Sequence, residues 1–252
     1  MDFGSFITQV TTNTLPKTAP SFSPIPLTQI WKKLYKDNLV YWACLLVFFL
    51  TAGFLLLKYE QGSLLLFFSS HRSEWGDLFF RYITKVGEEP AYILFFIFFL
   101  FIRYRYALLV PLTGLLVTIV SSSMKQLFLH PRPSVYYRSL GKLEEINLIE
   151  QVYLLGGPTS FPSGHTMSGF AIFTLVALLI PQKKGMAILL FGMALLVGIS
   201  RIYLVQHFLK DIYLGAIMGV GLAILIYIVQ ERYPIQEGKW WDNRLKRSEN
   251  RE

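Results

Sequence analysis

An all-α bundle of six transmembrane helices, with an interfacial helical segment between the first two, is what these 252 residues predict. Three observations carry that expectation. The chain is 53% hydrophobic yet only 16% charged, where a soluble domain carries about a quarter charged residues. The deficit of charge falls in long apolar runs, which marks membrane spans rather than one large water-soluble core. The basic residues behind the net charge of +8 sit between those runs rather than along one face, so they set topology and argue against nucleic acid as a partner. The single cysteine, Cys44, excludes an internal disulfide framework and a multi-cysteine metal site. Within its apolar run it reads as a small packed hydrophobe.

Taken in order, residues 1–36 are rich in Thr, Pro and Ser near the start and lack a basic region followed by an apolar one. They read as a flexible cytoplasmic tail rather than a cleavable signal peptide. The first span covers residues 39–57, preceded by Lys32, Lys33 and Lys36. The run 64–68 is too short to cross about 30 Å of hydrocarbon. After it, Trp75, Leu78, Phe79, Tyr82, Ile83 and Val86 recur at helical spacing, with Glu74, Asp77, Arg81 and Lys85 on the other face. That pattern suits a helix lying in the interface, or else an amphipathic helix packed on the bundle. A second span opens near Pro90, a residue suited to a helix start, and runs through Ile102, where Arg103 and Arg105 can snorkel. The third runs from about Pro111 towards Phe128, and a polar stretch follows from His130 to about Phe161. Residues 164–180, 185–204 and 211–229 complete the six. The membrane domain is therefore 37–231, with a cytoplasmic tail at 232–252.

Charge orients the spans. With the N-terminus inside, fourteen of the 24 Lys and Arg residues fall on inner segments, among them Arg103, Arg105, Lys183 and Lys184 in short loops. Both termini are then cytoplasmic, and the expected setting is a bacterial inner membrane. At 1.5 Å per residue, the chain climbs about 27 Å from Lys183 back to His165, and about 27 Å on to Arg201. Lys125 lies about 21 Å above Pro111 by the same arithmetic. Lys125, His165, Arg201 and the 207–211 stretch thus all reach the outer, periplasmic boundary.

The cluster assembled there holds Lys125, Arg132, Ser163, Gly164, His165, Arg201, His207 and Asp211. Two guanidinium groups and an ammonium suit a dianionic phosphate. Gly164, at the start of a span, leaves backbone N–H groups free where an anion binds well. Two histidines can divide nucleophilic and acid–base work, and Asp211, four residues after His207, shares its helical face and can fix its tautomer. No cysteine or second carboxylate accompanies them in the sequence, so neither a metal nor another cofactor is expected. Singly, each residue has a plainer reading: a snorkelling anchor, a structural histidine, a helix start. Their convergence at one depth outweighs those readings, because ionisable groups at membrane spans are functional by default. The long stretch 134–161 adds Tyr136, Tyr137 and Arg138, a mix suited to gripping a lipid headgroup at the interface. The alternative is a loop with no part in specificity.

Three runs in this cluster carry a family resemblance. Lys125 through Arg132 and Pro133 resembles the K-x6-RP motif of the type 2 phosphatidic acid phosphatase superfamily. Pro162-Ser163-Gly164-His165 is similar to its PSGH motif, and Ser200-Arg201 through His207 to Asp211 to its SR-x5-H-x3-D motif. Three motifs in order are far more specific than one. The resemblance implies a metal-independent membrane phosphatase acting on a lipid phosphate. His207 would be the nucleophile, His165 the general acid and base, and Asp211 the partner of His207. Lys125, Arg132, Ser163, Gly164 and Arg201 would hold the phosphoryl group. The same resemblance allows a lipid phosphotransferase, a glucose-6-phosphatase-like enzyme or a vanadate-dependent haloperoxidase. A lipid transporter or inactive scaffold is the reading from outside enzymology.

Overall fold

A computed structural model describes residues 24–150, 152–180, 184–232 and 243–245. Among them the secondary structure is wholly helical. Helix α1 covers Leu27–Asp37 and α2 Leu39–Lys58. The short α3 (Ser63–Ser70) and α4 (Glu74–Ile83) follow, then a 3-10 turn at Thr84–Gly87. Helices α5 (Glu89–Leu100) and α6 (Tyr104–Phe128) form a hairpin, and α7 (Pro133–Ser139) opens the long connection. The chain ends in α8 (Gly164–Leu179), α9 (Lys184–Tyr203) and α10 (Leu209–Arg232).

The bundle is built around α8, which is buried along nearly its whole length. It packs most closely against α10, then α9 and α6. Two glycines of α10 set the α8–α10 approach. A Cβ on Gly215 would come 2.7 Å from the Ser163 carbonyl oxygen, and one on Gly219 would run into the Met167 carbonyl. Small residues let two backbones approach in this way, a favoured mode of packing between membrane helices. The outer surface is the reverse of a soluble protein's. Leu46, Leu50 and Phe54 on α2, Leu115 and Ile119 on α6, and Ile188 and Leu189 on α9 are exposed, while Thr174, Arg201, His207 and Asp211 are buried. Apolar surface that extensive is stable against lipid, not water.

Apolar helices occupy all six expected places, but four are long and apolar enough to cross a membrane alone: α2, the segment that starts with α6, α9 and α10. The 12 residues of α5 and 16 of α8 fall short of the roughly 20 that a bilayer core requires. A helix enclosed by neighbours, like α8, is under no pressure from lipid to reach full length.

Other boundaries also differ from expectation. Helix α6 begins seven residues before Pro111, which lies inside it, so only Phe101–Arg103 connect α5 to α6. Residues 27–36 of the expected tail are helical and packed: Ile30 and Leu34 are buried, and Lys33 pairs with Glu231 at 3.0 Å. The packed domain therefore extends at least to the start of α1, while residues 1–23 lie outside the described residues. Of the expected C-terminal tail, 232–252, Arg232 closes α10 and 243–245 dock on the α5–α6 hairpin, where Leu245 N–H donates to the Leu100 carbonyl at 2.9 Å. The expected helix at 74–83 is present. The Ser73 hydroxyl caps it by accepting from Gly76 N–H, and Trp75, Phe79 and Tyr82 are exposed along it.

Candidate active site

The C-terminal ends of α6 and α9, the N-terminal ends of α8 and α10, and the turn before α5 meet at one end of the bundle. Asp211, in the first turn of α10, is fully buried. Its Oδ2 accepts from His207 Nδ1 at 3.2 Å, from Phe208 N–H at 3.0 Å and from Ser160 Oγ at 2.5 Å. The Ser163 N–H donates to the Asp211 carbonyl at 3.0 Å, which ties the start of α8 to the start of α10. The turn from α9 into α10 delivers His207. Gln206 and His207 N–H groups both donate to the Arg201 carbonyl, and Val205 adopts φ 57° to close the loop. A β-branched residue in that region costs about 1–3 kcal/mol, which the surrounding hydrogen bonds must offset.

The basic groups surround this core. Arg201, in the last turn of α9, is buried and donates through Nη1 to Thr84 Oγ1 at 2.8 Å. Arg132, at the cap of α7, is buried and donates through Nη1 to the Gln206 carbonyl at 3.2 Å. The Nε atoms of both arginines are buried without a partner among the described residues. Lys125, in the last turn of α6, lies against the start of α8: a Cβ on Gly164 would be 3.4 Å from its Nζ and 2.9 Å from Ser121 Oγ. Glycine is what lets the Ser121 hydroxyl come this near the α8 N-terminus, with the ammonium in contact beside it. Ser163 caps α8, its Oγ accepting from Thr166 N–H and Oγ1 at 3.4 and 3.0 Å, so its hydroxyl proton remains available to donate.

The histidines differ in surroundings. His207 is enclosed, and burial pushes its pKa down to about 3; Asp211 opposes the shift, while Arg201 and Arg132 add to it. The ring is therefore neutral at ordinary pH, with the Nδ1 proton on Asp211 and a lone pair at Nε2. His165 is about one-third exposed, and its Nε2 meets Glu88 Oε1 at 2.7 Å. The hydrogen bond from His165 holds the Glu88 carboxyl below the usual carboxylate range, with Arg201 and Lys85 assisting.

All eight residues expected at the cluster thus come together, but the expectation that no second carboxylate joins them is corrected by Glu88. Thr84, Ser160, Gln206 and Glu88 are additions that the sequence did not point to. Glu88 and Glu89 precede Pro90 at the mouth of an apolar helix, but nothing in that position names His165 as a partner. Ser160 and Gln206 had no signal. The expected headgroup set also separates. Tyr137 is buried with Leu65, Ile202 and Phe208, and a Cβ on Gly62 would collide with its hydroxyl, so its ring faces the core rather than the surface. Tyr136 packs edge-on against Phe208, and Arg138 is exposed. The region is helical because Pro133 starts α7 and the face bearing Tyr137 turns inward.

Residues 105–234 match the model of the PAP2 superfamily. The chain is 30% identical over 147 residues to probable lipid phosphate phosphatase 4 of Arabidopsis thaliana, covering 50% of this chain and 48% of that protein. It thus spans about half the length of the curated relatives it matches. Among solved structures, LpxE of Aquifex aeolicus superposes with a TM-score of 0.56 at 28% identity, over 67% of this chain and 96% of that one. The transmembrane PAP2-type phosphatidylglycerolphosphate phosphatase of Bacillus subtilis superposes with a TM-score of 0.54 at 23% identity, over 81% of this chain and 100% of that one, a likeness of fold.

Proposed function

The chain belongs to the PAP2 superfamily, and from that premise we propose that it is an integral membrane phosphatase that hydrolyses a lipid phosphate or diphosphate through a phosphohistidine. The observation that carries the reading is the setting of His207: enclosed, pinned through Nδ1 to the buried Asp211 carboxylate, with Arg201 and Arg132 acting on the same ring.

His207 Nε2 attacks phosphorus, and the bond to the leaving oxygen breaks as His165 gives that oxygen a proton. The cation that develops on His207 is stabilised by Asp211, the logic of a hydrolytic triad. His165 then takes a proton from water, whose oxygen displaces His207 and releases inorganic phosphate. The arginines, Lys125, the Ser163 hydroxyl and the backbone N–H groups at the start of α8 hold the phosphoryl oxygens, where charge spreads in the transition state.

The lipid character of the substrate is supported by the family and by the position of the cluster at the ends of apolar helices, where a lipid headgroup sits. Tails can remain among the helix faces while the phosphate enters laterally. Polyprenyl diphosphate, phosphatidylglycerol phosphate, phosphatidate and phosphorylated lipid A all fit that description. The positive-inside count supports a site on the periplasmic face with both termini in the cytoplasm. Phosphate release from a panel of these lipids, with acid- and base-quenched mapping of labelled enzyme, tests the proposal. Base-stable label on His207 is expected. Label on serine, full activity in His207→Ala, or a soluble sugar phosphate turned over as well as any lipid would each overturn it.

A further inference from the structure

The segment between α3 and α5 reaches the site although it lies wholly upstream of the residues that match the family model. Its docking is specific. Arg72 Nη2 donates to the Tyr203 carbonyl at 2.6 Å, and the Tyr203 hydroxyl donates to Asp77 Oδ1 at 2.8 Å. A Cβ on Gly87 would come 2.5 Å from Val197 Cγ1 and 3.0 Å from the His165 carbonyl, so the turn lies directly on α8 and α9. Held in this way, one 3-10 turn and the residue after it deliver two groups. Thr84 accepts from Arg201, and Glu88 accepts from His165 Nε2 at 2.7 Å.

Resting on the reading of His165 as acid and base, we propose that Glu88 is its positioning residue, fixing the Nε2–H tautomer so that Nδ1 is the nitrogen that exchanges protons with substrate and water. When His165 is charged, Nε2–H stays on Glu88 while the Nδ1 proton passes to the leaving oxygen. The neutral ring left behind has its lone pair on Nδ1, which then accepts the proton of the attacking water. The two histidines would use opposite nitrogens: His207 is held through Nδ1 and reacts at Nε2, and His165 is held through Nε2 and reacts at Nδ1. A carboxylate on Nε2 also favours the charged ring, and among the described residues Glu88 is the acidic group facing His165, opposed by Arg201 from α9 and Lys125 from α6. Glu88 itself faces His165, Arg201 and Lys85. Removing its charge leaves two cations against the ring, so the acid form is lost at lower pH.

The test uses the full chain in nanodiscs with phosphatidate as substrate, comparing Glu88→Gln, Glu88→Asp and His165→Asn across pH. Glu88→Gln should lower kcat on the order of tenfold, leave KM within about twofold, and move the alkaline limb of the kcat profile down by about one pH unit. Glu88→Asp should recover part of both effects. A Glu88→Gln enzyme with unshifted limb, whether its kcat is normal or reduced, overturns the inference, since a purely structural residue would leave the limb in place. If His165→Asn keeps normal turnover, the acid–base reading itself has failed and takes this inference with it. If His165→Asn is impaired while Glu88→Gln is normal, only the role of Glu88 falls.

Discussion

Replacing Asp211 by Asn separates the charge of that residue from its geometry. Three donors, His207 Nδ1, Phe208 N–H and Ser160 Oγ, converge on Oδ2, while Oδ1 is buried with no partner among the described residues. The Asn side chain satisfies all three donors only with its carbonyl oxygen at the Oδ2 position. That orientation preserves the His207 tautomer and leaves an amide NH2 buried at the Oδ1 position, costing about 1–3 kcal/mol of stability. The catalytic loss is then electrostatic. At the 3.2 Å separation of His207 Nδ1 and Asp211 Oδ2, a carboxylate and an imidazolium attract by about 5 kcal/mol at an effective dielectric near 20. That interaction is present only once the ring becomes cationic, so it acts on the transition state and not on the resting enzyme. As an upper bound it corresponds to roughly 10³–10⁴ in the rate of phosphoenzyme formation. Rapid-quench measurement with labelled lipid phosphate gives that rate, and thermal unfolding in the same detergent shows whether the variant is folded. A folded Asp211→Asn enzyme that forms phosphoenzyme within tenfold of the unmodified rate would refute the reasoning, because the buried charge would then contribute less than about 1.4 kcal/mol to stabilising the cation.

Gly164→Ala should fold, since the Ser121 side chain can shift from its 2.9 Å approach, but the added methyl crowds the α8 N-terminus beside Lys125 and should raise KM and lower kcat/KM on the order of tenfold; unchanged kinetics would remove the start of α8 from the phosphate site. The His207 ring should remain neutral at pH 5 in nitrogen-15 spectra of labelled protein, because burial holds its pKa at about 3. An unfolded histidine titrates near 6.5, so this residue's contribution to stability is complete above about 6.5 and declines as pH falls towards 3. A ring that titrated near 6.5 in the folded protein would contradict the enclosure described above. Topology is open to single-cysteine labelling in a Cys44→Ala background. Ser139→Cys should react with an impermeant thiol reagent in intact cells and Lys184→Cys only after permeabilisation, whereas the reverse pattern would place the site on the cytoplasmic face.

Charged groups and histidines at span ends were legible in the sequence because the bilayer makes them conspicuous. A lysine, two arginines, two histidines and an aspartate have few reasons to stand at one depth in so apolar a chain. His207 and Asp211 were legible as a pair because four residues is one helical turn, although the structure reveals that the pair spans the entry to α10, with Phe208 N–H also bound to the carboxylate. What could not be read were partners supplied across long sequence separations. Glu88 and His165 are 77 residues apart, and Ser160 and Asp211 are 51 apart. No periodicity relates such pairs; their meeting depends on how tightly α8 packs on α10 and how the 3-10 turn at Thr84–Gly87 lies on α9. Composition misled at the N-terminus, where the Thr- and Pro-rich start obscured Ile30 and Leu34, an i, i+4 pair that buries against the bundle. It misled again at Tyr137, whose polar tip suggested an interface while its ring fills the core beneath Phe208. The common cause is that a sequence advertises which groups are costly to bury, whereas the residues that make those groups affordable are ordinary threonines, serines, glycines and single acids. In this bundle they arrive from the segment before α5 and from the long connection before α8, where hydropathy alone says least.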